Sequence, residues 1–273
     1  MKETIAFVGG GNMAASLIGG LLAAGCQAAN IRVAERLADS AARIRERFGV
    51  SVGNDIRAVT DGADIVVLAI KPQQFAEAAV GLQPLAGSTT LSIMAGVRCT
   101  TLRRSLGTAT EIVRSMPNTP ALIRRGATGL FAPDGTSARS RARAEAIVKS
   151  VGSACWVETE DALDAVTALS GCGPAYFFRF VESLRDAGVA LGLDSAAARS
   201  LAFETFAGAA ALATARDEDV AELRRQVTSK GGATEAALQR LDAGNFDALI
   251  RAALTAACER SRELGLDDKE RSP

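Results

Sequence analysis

Several stretches of this chain hold residues whose types and spacing can do chemistry. The first is Gly9-Gly10-Gly11-Asn12-Met13-Ala14. In a G-x-G-x-x-A pattern, Gly9 lets the chain turn sharply. Gly11 has no Cβ, so a pyrophosphate can approach the main chain, and Ala14 still allows close helix–strand packing. Free N–H groups and the positive end of a helix would face that charge. A glycine loop that binds nothing is the bland alternative.

The second is the pair Glu35-Arg36. The acid that holds the ribose hydroxyls in NAD enzymes lies about 20 residues beyond the glycines. Glu35 would favour NAD, because its charge repels a 2′-phosphate. Arg36 could hold that phosphate and stack on adenine. Both answers stand, as does a plain charge pair on a loop. Lys71-Pro72-Gln73 follows a long apolar run. At the carboxyl end of such a strand, Lys71 could touch phosphate or ribose, or be a solvated lysine.

The third is Thr228-Ser229-Lys230-Gly231-Gly232-Ala233-Thr234. Its glycines precede a helical pattern, so it can present N–H groups to a carboxylate. A helix–helix turn capped by Thr234 is the alternative. Ser92 to Val97 and Arg114 to Ala121 end strands with small, turn-forming residues. The second has two prolines around Asn118 and Thr119. It could aim an amide and a hydroxyl, or be a rigid crossover.

The elements that must position these residues follow from periodicity. Ile5-Ala6-Phe7-Val8 is a short apolar run. Met13, Leu17, Ile18, Leu21 and Leu22 then recur at helical spacing, and Gly25 is placed to end the helix. Ile31 to Ala34 reads as a strand and Ala38 to Phe48 as a helix ended by Gly49. Asp64 to Ile70 is continuously apolar after its first residue, as in a central parallel strand covered on both faces. Further strands are expected at Thr90–Ile93, Glu111–Ser115, Thr128–Ala132 and Cys155–Val157, with a helix from Thr136 to Ser150. The alternation predicts a doubly wound α/β domain.

After Glu160 only helical faces follow. Pro174 fits a first turn, Ser195 and Asn245 fit N-caps, and Gly192 and Gly265 fit helix stops. A sharp bend is expected across Ala168–Tyr176, and fraying across Asp267–Pro273. This half is rich in Ala and Gly, as at Ala207 to Ala211, which suits close helix packing between two copies.

Composition narrows the function classes. The 273 residues carry 31 basic and 31 acidic side chains, so the formal net charge is zero and nothing draws the chain to nucleic acid or an anionic membrane. No apolar run approaches the roughly 20 residues of a membrane span. The five cysteines are scattered without a C-x-x-C, which predicts reduced thiols, a cytoplasmic location and no structural metal. The chain has no histidine. A His-based triad, His-ligated zinc and the common His-based dehydrogenase mechanism are excluded.

Five segments together resemble the pyrroline-5-carboxylate reductase family. They are Phe7–Ala14, Ala69–Gln73, Met116–Pro120, Asp164–Tyr176 and Gly231–Thr234, in the family's order and across almost the whole length. The resemblance implies a Rossmann-type domain over residues 1–158 and an all-α dimerisation and substrate-binding domain over 159–273. It implies reduction of the cyclic imine 1-pyrroline-5-carboxylate to L-proline by NADPH, with NADH possible, in a homodimer or an assembly of dimers. The positions it implies for the cofactor are Gly10, Asn12, Met13, Glu35, Arg36, Ile70, Lys71, Ala95 and Gln226, beside Gly9 and Gly11 from the loop itself. Those for substrate are Glu160, Ala233 and Thr234, with the main chain from Ser229 through Gly232 to Ala233 on the carboxylate. Thr234 and Glu160 are then the expected catalytic residues, Thr234 on the ring nitrogen. Cys172 and Lys230 stand where the family has Ser and, in many members, Pro. Two rivals remain at this stage: a hydroxy-acid dehydrogenase of the same plan, and a non-catalytic nucleotide sensor.

Overall fold

The computed structural model describes residues 2–82 and 87–270. The chain packs as two units, Met1–Cys172 with Ala256–Pro273, and Gly173–Thr255.

The first unit is built on one eight-stranded sheet. Its strands are β1 (Ile5–Val8), β2 (Ile31–Ala34), β3 (Ser51–Gly53), β4 (Ile65–Leu68), β5 (Thr89–Ser92), β6 (Glu111–Met116), β7 (Gly126–Phe131) and β8 (Gly152–Trp156). Their order is β3-β2-β1-β4-β5-β6-β7-β8. All neighbours are parallel except β6 and β7. The chain runs outward one way from β1 and then restarts at β4 on its other side. That reversal opens a crevice at the carboxyl ends of β1 and β4.

Helices cover both faces: α1 (Asn12–Ala23), α2 (Ala38–Phe48), α3 (Ile56–Thr60), α4 (Phe75–Gly81), α5 (Cys99–Leu106) and α6 (Ala138–Lys149). The period-2 alternation of the strands divides the core in two. Ile5, Phe7, Val33, Ile65 and Val67 meet Leu17, Ile18 and Leu21 of α1 and Ile147 of α6. Ala6, Val8, Val66 and Leu68 meet Val59, Phe75, Leu102 and Leu106 of α3 to α5. Burying each large apolar side chain is worth about 1.5–3 kcal/mol. Truncating fully buried Phe7 or Leu17 to Ala would cost about 2–5 kcal/mol.

At the opposite, amino-terminal edge, Arg143 of α6 pins three strand starts. Its guanidinium donates to Glu3 (2.8 Å), Asp64 (2.8 Å) and Thr89 Oγ1 (3.3 Å). A buried Arg among such partners fixes the helix across the sheet.

The remaining helices are α7 (Ala162–Val166), α8 (Gly173–Ala190), α9 (Ser195–Thr214), α10 (Val220–Gln226), α11 (Ala233–Ala243) and α12 (Phe246–Glu270). No helix among the described residues is long and apolar enough to cross a membrane.

Several local expectations change. The strand Ser51–Gly53 was not anticipated. α12 runs through Gly265 to Glu270, so Gly265 does not stop it, and residues 271–273 lie outside the described ones. Gly265 is small for another reason: a Cβ there would come 3.1 Å from the Gly96 carbonyl oxygen. The N-cap of α9 is Asp194 rather than Ser195, with Asp194 Oδ1 accepting from the Ala196 and Ala197 N–H groups. Asn245 does precede α12, but in the left-handed region at φ 55°. The expected bend at Ala168–Tyr176 is a π-helical turn, Thr167–Gly171, that carries the chain from α7 towards α8. Gly171 packs closely there: a Cβ would meet Met116 Cε at 2.8 Å, the mobile end of that side chain.

Candidate functional site

The glycine loop joins β1 to α1. Gly9 sits at φ +98°, and a Cβ on it would lie 2.5 Å from the Ala69 carbonyl oxygen. That closeness joins the ends of β1 and β4. Gly11 is different: a Cβ there meets nothing within 4 Å, and its φ of −67° suits any residue. Its openness leaves a cradle. The first backbone bond into α1 is Ala15 N–H to Gly11 O. The N–H groups of Asn12, Met13 and Ala14 therefore have no acceptor inside the helix, and the positive end of its dipole lies there too.

A cleft of about 630 Å³ opens at this point. Gly9, Gly10, Gly11, Glu35, Arg36, Ile70 and Lys71 all line it. Seven of the expected cofactor residues are thus brought together. Asn12 and Met13 continue from the loop into α1. Ala95 is exposed just beyond β5, which neighbours β4. Gln226 is the last residue of α10 and belongs to the other unit.

Glu35 does not point a free carboxylate into the cleft. Its Oε2 accepts from Gly10 N–H at 3.0 Å and its Oε1 from Leu37 N–H at 2.9 Å. Arg36 is paired with Glu77 of α4 through both guanidinium nitrogens, one of them at 3.3 Å. Asn118 is committed to structure. Its Nδ2 donates to Ser170 O at 3.0 Å and its Oδ1 accepts from Ala127 N–H at 2.9 Å. The rigid-crossover alternative describes that amide.

Glu160 lies just past β8. Its Oε1 accepts from Cys99 N–H at 2.7 Å and from Arg114 at 2.8 Å. Burial would raise its carboxyl, but these two donors outweigh that and hold it below the usual range. Burial also pushes the Cys99 thiol up to about 12, helped by the Glu160 charge. Beside them Arg98 donates to Asp161 at 2.5 Å, which lowers the Asp161 carboxyl. Asp164 accepts from Ser261 Oγ of α12 at 2.7 Å. Sequence reasoning missed this network. One signal was available: Arg114 is a charge in the middle of a strand, Glu111–Met116, directly after apolar Ile112 and Val113.

In the other unit, Thr228–Thr234 forms the turn into α11. Gly231 lies at φ +72°, and its N–H is taken by Glu235 Oε2 at 2.7 Å. Gly232 N–H bonds Ser229 O at 3.0 Å. A Cβ on Gly232 would sit 2.5 Å from Ser229 Oγ and 3.0 Å from Ser229 O, so a side chain there would push the Ser229 hydroxyl aside. The N–H groups of Ala233 and Thr234 start α11 with no acceptor inside it, because the first such bond is Ala236 N–H to Gly232 O. Ala233 and Thr234 are exposed.

Comparison with known proteins agrees with this construction. Residues 160–264 match the family described as pyrroline-5-carboxylate reductase dimerisation. Residues 4–96 match the family described as NADP oxidoreductase, coenzyme F420-dependent. A pyrroline-5-carboxylate reductase of Pseudomonas aeruginosa is 46% identical over 263 residues, covering 95% of this chain and 96% of that one. The solved structure of a pyrroline-5-carboxylate reductase from Coxiella burnetii superposes with a TM-score of 0.92 at 40% identity, covering 97% of this chain and 99% of that one. The Plasmodium falciparum pyrroline carboxylate reductase, solved with NADP bound, superposes with a TM-score of 0.83 at 27% identity, covering 96% and 98%. An amide-lined cleft on a Rossmann sheet, followed by a helical dimerisation domain, in a sequence alike from end to end, leaves one assignment: the chain belongs to the pyrroline-5-carboxylate reductase family, whose members are NAD(P)-dependent oxidoreductases.

Proposed function

We propose that this chain reduces the cyclic imine 1-pyrroline-5-carboxylate to L-proline, the last step of proline biosynthesis, with NADPH as reductant and NADH as the alternative. The observation that carries the reading is the end-to-end likeness, 46% identity over 95% of the chain, to a reductase named for that substrate. The open cradle at Gly11 fits the cofactor, because its pyrophosphate needs the room that a side chain would fill.

Asn12, Met13 and Ala14 offer that pyrophosphate their backbone N–H groups. Ile70, Lys71 and Ala95 lie at the strand ends where the rest of a dinucleotide extends. When bound, the reduced nicotinamide supplies the hydride. The chain's own residues hold the imine. The Ala233 and Thr234 N–H groups are the open donors for its carboxylate, with Ser229 and Gly232 shaping the turn. The Thr234 hydroxyl is the candidate partner of the ring nitrogen. An imine accepts hydride best when protonated, and the substrate can arrive as the iminium. A strong protein acid is then unnecessary, in keeping with a chain that has no histidine. Most of the rate comes from holding two reactants in register.

Glu160 serves this reading as an ionised anchor for Arg114 and the start of α5 rather than as a proton donor, since both its partners favour the charged form. Gln226 is assigned to the cofactor on the resemblance alone. We take residues 159–273 as the dimerisation half. Phe177, Phe178, Phe180, Leu201 and Phe203 are all exposed in the single chain, an apolar face that a second copy would cover.

The test is direct. Purified protein receives the imine with NADPH or NADH, and loss of the reduced-nicotinamide absorbance is followed. Turnover with the imine supports the proposal. Cofactor binding without turnover sinks it in favour of a nucleotide sensor, and turnover with hydroxy acids alone favours the dehydrogenase.

A further inference from the structure

The mouth of the cofactor cleft carries a charge arrangement that the reaction itself does not use. Arg36 follows β2, and Glu77 comes from α4, 41 residues later. The Arg36 guanidinium faces the Glu77 carboxylate nitrogen to oxygen, two against two. Both residues line the same cleft as the glycine loop. Glu35, the neighbouring acid, is occupied differently: its two oxygens accept from the N–H groups of Gly10 and Leu37. The base suited to a phosphate at this mouth therefore spends its paired donors on an acid from a different element.

This matters because NADP and NAD differ only by the ribose 2′-phosphate. A guanidinium grips phosphate best through two parallel N–H groups, and those are the ones Glu77 engages. Glu77 also adds a negative charge at the place where the phosphate would bring two more. A neutral ribose 2′-hydroxyl suffers neither effect.

We propose that Glu77 is a specificity-determining residue: by engaging Arg36 it lowers the affinity for NADPH relative to NADH. The inference rests on the cofactor reading above but not on the identity of the substrate. Glu77 needs no contact with the reacting atoms.

The experiment measures binding first. NADPH and NADH are titrated by reduced-nicotinamide fluorescence into the full-length chain and into Glu77→Gln. Adenosine 2′,5′-bisphosphate and ADP are titrated by calorimetry, to isolate the 2′-phosphate from the nicotinamide. The expected result is a rise of about 3- to 10-fold in the NADPH-over-NADH affinity ratio of Glu77→Gln, with the same direction for the bisphosphate over ADP. The gain shrinks at high salt and falls when Arg36→Ala is added, which leaves only the direct repulsion between Glu77 and the phosphate. An unchanged or lower ratio overturns the proposal. So does an equal loss of both cofactors, which would mean Glu77 only holds the fold. If the affinity ratio moves as expected while the imine is not reduced, the substrate assignment fails and this inference stands.

Discussion

Glu160 Oε1 lies 2.8 Å from the Arg114 guanidinium, with 8% of the Arg114 side chain and 16% of the Glu160 side chain exposed. The pair joins β6 to the segment that follows β8. Through the same oxygen it also holds the first N–H of α5. Removing one member leaves the other buried and unpaired. Glu160→Ala is therefore expected to cost about 3–5 kcal/mol in urea unfolding at neutral pH. A variant as stable as the parent would show that the pair contributes nothing.

The same contact sets an acid limit. The folded-state carboxyl of Glu160 is held below its ordinary 4.5, so the folded protein binds fewer protons there than the unfolded chain. Its stabilisation is complete above about pH 4.5 and is lost as pH falls through the lowered folded value. Glu111, lowered mainly by the Ser137 hydroxyl, adds to the same window. Unfolding midpoints should fall below about pH 4.5, less steeply in Glu160→Gln than in the parent. Equal slopes would remove Glu160 from the acid response.

Gly11 and Gly9 separate ligand from fold. Gly9→Ala forces a Cβ against the Ala69 carbonyl at a positive φ, so the fold itself suffers. Gly11→Ala has both space and an ordinary φ, so its melting temperature should match the parent's. Its Cβ instead fills the cradle, and the KM for the reduced cofactor should rise by about tenfold or more, at least 1.4 kcal/mol. A normal KM would mean that the phosphates do not lie over Gly11.

The glycine loop was legible because it sits between the two clearest periodic signals in the chain, the run at Ile5–Val8 and the stripe through Leu17 and Leu21. Apolar runs gave most strands within a residue or two. Ser51–Gly53 escaped because a three-residue edge strand has little apolar surface to show. Gly265 was misread because close approach to Gly96 and a helix stop demand the same residue. Asp194 and Ser195 are adjacent good caps, and only hydrogen bonds choose between them. The Glu160–Arg114–Cys99 contact joins residues 46 and 61 positions apart, and no local pattern encodes such a meeting. The Thr228–Thr234 turn was legible as a glycine turn leading into a helix, but not that Glu235 and Ser229 occupy two of its N–H groups.

The exposed aromatic face predicts an obligate assembly. Phe178 is 65% exposed and Leu201 56% in the single chain. Phe178→Asp would place a charge on that face and should weaken self-association by about 2 kcal/mol or more, roughly 30-fold. Light scattering at micromolar concentration reads the result directly. A variant that assembles like the parent would locate the interface elsewhere.

Thr234 tests the substrate end. Its hydroxyl is exposed at the start of α11, beside two N–H groups that the helix leaves open. If the hydroxyl donates to the lone pair that develops on the ring nitrogen as hydride reaches the neighbouring carbon, that bond forms towards the transition state and is absent from the iminium ground state. Thr234→Ala should then lower kcat/KM by about 10- to 100-fold, a loss of about 1.4 to 2.7 kcal/mol, mostly in kcat. Thr234→Ser keeps the oxygen and should recover most of the rate, which a packing role for the lost methyl would not allow. A fall confined to KM would assign Thr234 to the carboxylate instead, and unchanged kinetics would remove it from the site.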